Sequence, residues 1–119
     1  MQDYPKNIKK LIRQYLVEAY EIELHRELTK LDQSFSEWRN GSISSGELSH
    51  RIHQYEIGPS RELYKRYNHG DADLNVAYAI VAGVLDPAGI PAELLAALER
   101  PLSFYRSLKD QDELRMPGE

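Results

Sequence analysis

The chain has 119 residues, 41% of them hydrophobic, no cysteine and a formal net charge of -4. That length suffices for one domain around one core and not for two, and the missing cysteine excludes disulfides and thiolate metal sites. The acidic balance argues against a general nucleic-acid coat, which is strongly basic; with no leader pattern and no apolar run near the roughly 18 residues of a membrane span, the expectation is a cytoplasmic protein outside the membrane.

The first stretch, Pro5 to Arg39, reads as one helical run about 50 Å long at 1.5 Å per residue. Its two halves carry their apolar residues on opposite sides. Val17, Tyr20, Leu24, Leu28, Leu31, Phe35 and Trp38 fall within about 40° of one line, whereas Ile8, Leu11, Ile12, Tyr15, Ala19 and Ile22 gather about 180° away. Either the run breaks near its middle, or its C-terminal half is buried in its own domain and its N-terminal half is offered to another chain. An exposed row of that size exceeds what a soluble monomer ordinarily shows. Ile8, Leu11, Ile12, Tyr15, Ala19 and Ile22 are therefore the expected partner-binding residues, and the partner is another copy of the chain or a different protein.

Asp3 is placed to cap this helix, with Pro5 in its first turn where a missing N–H costs little. Lys6, Lys9, Lys10 and Arg13 come first, and Glu18, Glu21, Glu23 and Glu27 follow, an order that opposes the helix dipole. Local helix stability does not account for the basic end, and a solvated face is the plain reading of it. With Lys65 and Arg66, these cations carry a weaker alternative, a nucleic-acid regulator whose binding would depend on salt.

Asn40-Gly41 is a helix stop, because both residues tolerate the left-handed conformation. Ser44 and Glu47 have capping-box spacing and start a second helix, with Leu48, Ile52 and Tyr55 as its apolar stripe. Gly58-Pro59 is expected to break or kink that helix before Leu63, Tyr64 and Tyr67 continue the pattern. Asn68-His69-Gly70 is the next stop.

Leu74 to Leu85 is apolar on nearly every side, and a helix of that kind belongs inside a protein. Four alanines favour helix over strand, Asp71 or Asp73 can cap it, and Gly83 beside Ala79 offers a small-residue groove for close packing. Pro91 opens a last helix carrying Leu94, Leu95, Leu98, Leu102, Tyr105 and Leu108, with a kink or a second short helix expected at Pro101.

Two clusters have metal or acid-base chemistry in their residue types. Glu47 and His50 match the Glu-x-x-His spacing of di-iron bundles, with His53 one turn on, but they lie on the polar face, whereas bundle metals sit in the core. Glu18, Glu21 and His25 share one flank of the first helix, where hard cations or a proton-transfer pair would find ligands, although a solvated stripe is the commoner outcome. Glu18, Glu21, His25, Glu47, His50 and His53 are the candidate metal residues. No phosphate loop, dinucleotide fingerprint, nucleophile elbow or zinc helix occurs.

The expected fold is all-α, an irregular bundle of four main helical segments with a long N-terminal helix and a buried apolar helix near 74–85. Residues 1–109 form the single domain and 110–119 a frayed tail. The expected function is a non-catalytic interaction or regulatory subunit, self-associating through the N-terminal half of helix 1 and needing no cofactor. The alternative is a small metal-dependent or acid-base enzyme built on the Glu and His residues above.

Overall fold

The computed structural model describes residues 3 to 118, all-helical with no strand among them: α1 Lys6–Arg39, α2 Ser45–Tyr55, α3 Arg61–His69, α4 Ala72–Val81, α5 Ala92–Ala97 and α6 Glu99–Asp110. A π-helical turn, Glu56–Ser60, joins α2 to α3, and a short 3-10 turn, Pro87–Gly89, precedes α5.

No proline or glycine interrupts α1, and it runs unbroken for 34 residues. At 1.5 Å per residue that is about 51 Å, which matches the longest dimension of a molecule measuring 53 × 32 × 25 Å. The first helix thus runs the length of the molecule; α2, α3, α4 and α5 lie against it, and α6 packs on α4 and α5. Pro5 occupies the position before the first turn, where Lys9 N donates to its carbonyl at 3.0 Å. Asp3 makes no capping bond, so the expected cap is not the one used. The helix stops where expected: Gly41 adopts φ +85°, and Ser42 N turns back to the Glu37 carbonyl at 2.8 Å.

Ser44 Oγ accepts from Glu47 N at 3.1 Å, half of the expected capping box. Glu47 does not return the bond, because its carboxylate takes Arg51 Nε at 3.1 Å. Gly58-Pro59 interrupts the α-helix where expected, and the interruption takes the form of a π turn. This wider turn absorbs the proline, whose absent N–H needs no partner there, and α3 follows directly.

The core forms around α4, whose residues Val76 to Val81 are all buried. Ile8, Ile12 and Ala19 of α1, Leu63 and Tyr67 of α3, Leu94 of α5 and Leu98 and Leu102 around the start of α6 close on it. The helix ends at Val81, four residues before Leu85, because Gly83 at φ +85° turns the chain and lets Val84 N and Leu85 N reach the Ala79 carbonyl. Gly83 is exposed, with open space around its α-carbon, so it serves as a helix stop and not as a packing groove. Lys109 Nζ satisfies one of the last carbonyls, Val81 O, at 3.2 Å. The break in the last segment falls at Leu98, one turn ahead of Pro101. The proline then sits in the first turn of α6, where its N–H is not needed.

The segment expected as a tail makes contacts with the rest of the fold over its described part. Asp110 belongs to α6, Leu114 packs against the core, and Tyr78 Oη donates to the Arg115 carbonyl at 2.7 Å. Glu119 lies outside the described residues.

Candidate functional site

The inward face of α1 follows Ile8, Ile12, Tyr15, Ala19, Glu23, Glu27 and Ser34. At about 100° per residue the line of burial drifts by only some 80° from end to end. In the N-terminal half it is apolar. Ile8, Ile12 and Ala19 are buried at 5%, 0% and 0% exposure, and Leu11, Tyr15 and Ile22 are half-buried against the same core. Tyr15 Oη reaches the Gly89 carbonyl at 3.3 Å. The six residues expected to bind a partner are thus the seat of α4 and α5. The physical reason is that the small apolar helix α4 needs a large apolar wall, and the N-terminal half of α1 supplies it.

In the C-terminal half the inward line is polar. Glu23 is only 4% exposed; the Tyr67 hydroxyl donates to its carboxylate, and Arg66 Nη1 stands 3.5 Å away. Arg66 also lies over the Tyr78 ring, 4.8 Å from its centroid. Burial, and then the bond to Glu23, push the Tyr67 hydroxyl above the ordinary tyrosine range. It remains a proton donor to Glu23 and not a base. Further along, Arg51 Nη1 bridges Ser34 Oγ at 3.2 Å and Glu37 at 2.7 Å while its Nε holds Glu47.

Because polar groups hold that line, the apolar residues of the C-terminal half are displaced toward the rim. Val17, Leu28 and Trp38 are 68%, 46% and 40% exposed, and Leu24, Leu31 and Phe35 between them are half-buried. Ile52 of α2 is also exposed. The first stripe, expected outside, is therefore inside, and the second is divided: Tyr20 and Leu24 pack against the core, whereas Val17, Leu28 and Trp38 are left exposed. Glu23 and Ser34 were the overlooked signal, since they interrupt the second half on the side that continues the first.

The candidate metal residues stay apart. Glu18, Glu21, His25, Glu47, His50 and His53 are all exposed, and among the described residues no group of three His, Asp or Glu side chains converges on a point. Glu47 is paired with Arg51, a cation in the place a metal would take. The basic end of α1 is exposed apart from half-buried Lys9, but Arg66, the expected companion of Lys65, is engaged with Glu23.

Clefts open on the surface of the described residues, among them one of about 220 Å³ between Leu31, Ser34, Arg51, Gln54 and Tyr55. Another, of about 80 Å³, is lined by Glu23, Arg26, Glu27, Glu62, Arg66 and Arg115 among others, a set whose charges balance, and Arg115 pairs with Glu62 at 3.6 Å. A wider groove lies between Tyr4, Asp73, Leu74, Arg100 and Phe104. In it Asp73 is held by Tyr4 Oη at 3.0 Å and Leu74 N at 2.9 Å. None of these three clefts brings a nucleophile to a base. No helix among the described residues is long and apolar enough to cross a membrane. Comparisons with family models, curated proteins and solved structures return no match.

Proposed function

We propose that the chain is a non-catalytic protein-binding or regulatory subunit whose contact surface is the outer face of α1 from Val17 to Trp38. The observation that supports this reading is the row itself: Val17, Leu24, Leu28, Leu31, Phe35 and Trp38 lie on one side of a helix spanning about 31 Å, and three of them are more than a third exposed. Scattered surface hydrophobics need no explanation, whereas a contiguous apolar strip marks a binding surface. The chain needs no cofactor for this role. A cysteine-free sequence suits a reducing compartment, and the cytoplasm is the proposed location.

A photo-crosslinking residue placed at Leu28, in cells that make the protein, tests the reading. The expected result is a discrete adduct that is lost on adding Val17→Asp and is absent when the probe sits at Gln33, an exposed position on another face. Equal labelling from both positions would remove the proposed surface.

A further inference from the structure

Seven positions along the rim of α1 recur at alternating intervals of three and four, Val17, Glu21, Leu28 and Trp38 exposed and Leu24, Leu31 and Phe35 half-buried between them. An alternating repeat of this kind averages 3.5 residues, the period that keeps one seam turned toward a partner helix over many turns. Beside the seam, on the flank away from α2, stand Glu18, His25, Asp32 and Arg39. All four are exposed, and none makes an ion pair within its own chain among the described residues. This flank is where the sequence states which occupant it suits.

Building on the protein-binding reading above, we infer that the occupant of this face is the same helix of a second copy, running antiparallel. Setting Leu28 of one copy against Leu31 of the other places Leu24 against Phe35 and Glu21 against Trp38, and every layer repeats by symmetry. The flanks then match: Glu18 faces Arg39 of the second copy, and His25 faces Asp32, each pairing occurring twice. Sliding one copy by seven residues in one direction brings Glu18 beside Asp32 and His25 beside His25. Sliding it the other way brings Asp32 against Asp32 and His25 beside Arg39. A parallel pairing sets Glu21 against Glu21 inside the seam and Glu27 beside Asp32. Only the antiparallel register pairs opposite charges and keeps two carboxylates from meeting, which is how flanking charges select orientation and register in paired helices. The flank carrying Glu18, His25, Asp32 and Arg39 is exposed from end to end, and with Val17, Leu28 and Trp38 it leaves that side of α1 accessible to such a neighbour.

Sedimentation equilibrium on the full chain is the test, with circular dichroism to confirm that each variant is folded. The wild type is expected to dimerise at micromolar concentration. Leu28→Asp should weaken the dimer at least about tenfold, as truncating a central contact does, and Val17→Asp, at the most exposed seam position, gives a second reading if Leu28→Asp fails to fold. Glu18→Arg alone and Arg39→Glu alone should each weaken it by about three- to tenfold. The two together in one chain should restore it, because these side chains lie about 31 Å apart on their own helix and can compensate only across copies. A wild type that stays monomeric overturns the inference; a Leu28 adduct of another mass would then leave the protein-binding reading standing with a different occupant. A dimer indifferent to both Leu28→Asp and Val17→Asp overturns the inference and removes the surface itself. A dimer weakened by Leu28→Asp that the double charge exchange fails to restore overturns the antiparallel register.

Discussion

Tyr67→Phe isolates the polar interior of α1. The change deletes one hydroxyl and leaves the ring, which is 4% exposed and packs on Tyr20 with centroids 5.5 Å apart, so no cavity forms. What is lost is the donor to Glu23. The carboxylate stays buried, with Arg66 at the long distance of 3.5 Å as its remaining partner. Removing a hydrogen bond to a charged group costs about 1.5–3 kcal/mol, and the unsatisfied buried acceptor puts the expectation near 2 kcal/mol. With an unfolding entropy of about 2.1 cal/mol/K per residue, this length gives about 0.25 kcal/mol/K, so the midpoint should fall by about 8 °C. Thermal and urea denaturation at neutral pH read both quantities. Equal stability of wild type and Tyr67→Phe, within about 0.5 kcal/mol, would refute the claim that this pair holds the middle of α1 to α3.

Three further outcomes are expected. Ile12→Asp, at a position with no exposure, should abolish folding, whereas Val17→Asp, five residues along the same helix, should change monomer stability by no more than about 0.5 kcal/mol; circular dichroism melts of both distinguish the inside of α1 from its outside. Gly83→Ala should cost about 1–2 kcal/mol in urea, entirely from forcing an alanine to φ +85°, because the space around that carbon is open. Alkaline pH should destabilise the fold. Tyr67, Tyr4 and Tyr105 all hold their protons above the ordinary value of 10.0, chiefly because they are buried. The folded chain then binds more protons than the unfolded one once the pH passes about 10, so stability is complete below that value and declines above it. Tyr67→Phe should flatten part of the decline in a series of urea melts from pH 8 to 11.

Leu11→Asp and Tyr15→Asp distinguish the partner surface expected from periodicity from the packing observed. As an exposed partner surface these positions would release a smaller folded species. Packed against the core, they should instead lower stability, with circular dichroism losing signal at lower temperature than wild type.

Much of the architecture was legible residue by residue. The absence of proline and glycine from 6 to 39 made one long helix. Asn40-Gly41 ended it, Ser44 restarted the chain, and the apolar run from Leu74 marked the helix that had to be surrounded. These features depend on neighbours within a turn or two, so local chemistry decides them. Pro59 and Gly83 were legible as special residues but not in their use, since a π turn or a helix stop depends on what the following segment must reach.

Which side of α1 faces inward was a tertiary decision. Periodicity counts apolar residues and therefore favoured the longer row ending at Trp38. The folded chain instead accepted Glu23 and Ser34 on its inward line, because Tyr67 with Arg66 and, farther on, Arg51 supply bonds that compensate for their burial. Those partners lie 17 to 44 residues away in the chain. A buried carboxylate is tolerable only when a distant donor arrives, and no pattern within one helix records that arrival. By itself the sequence determined where helices run and stop; the packing of α3 and α4 decided which face of the first one turned inward.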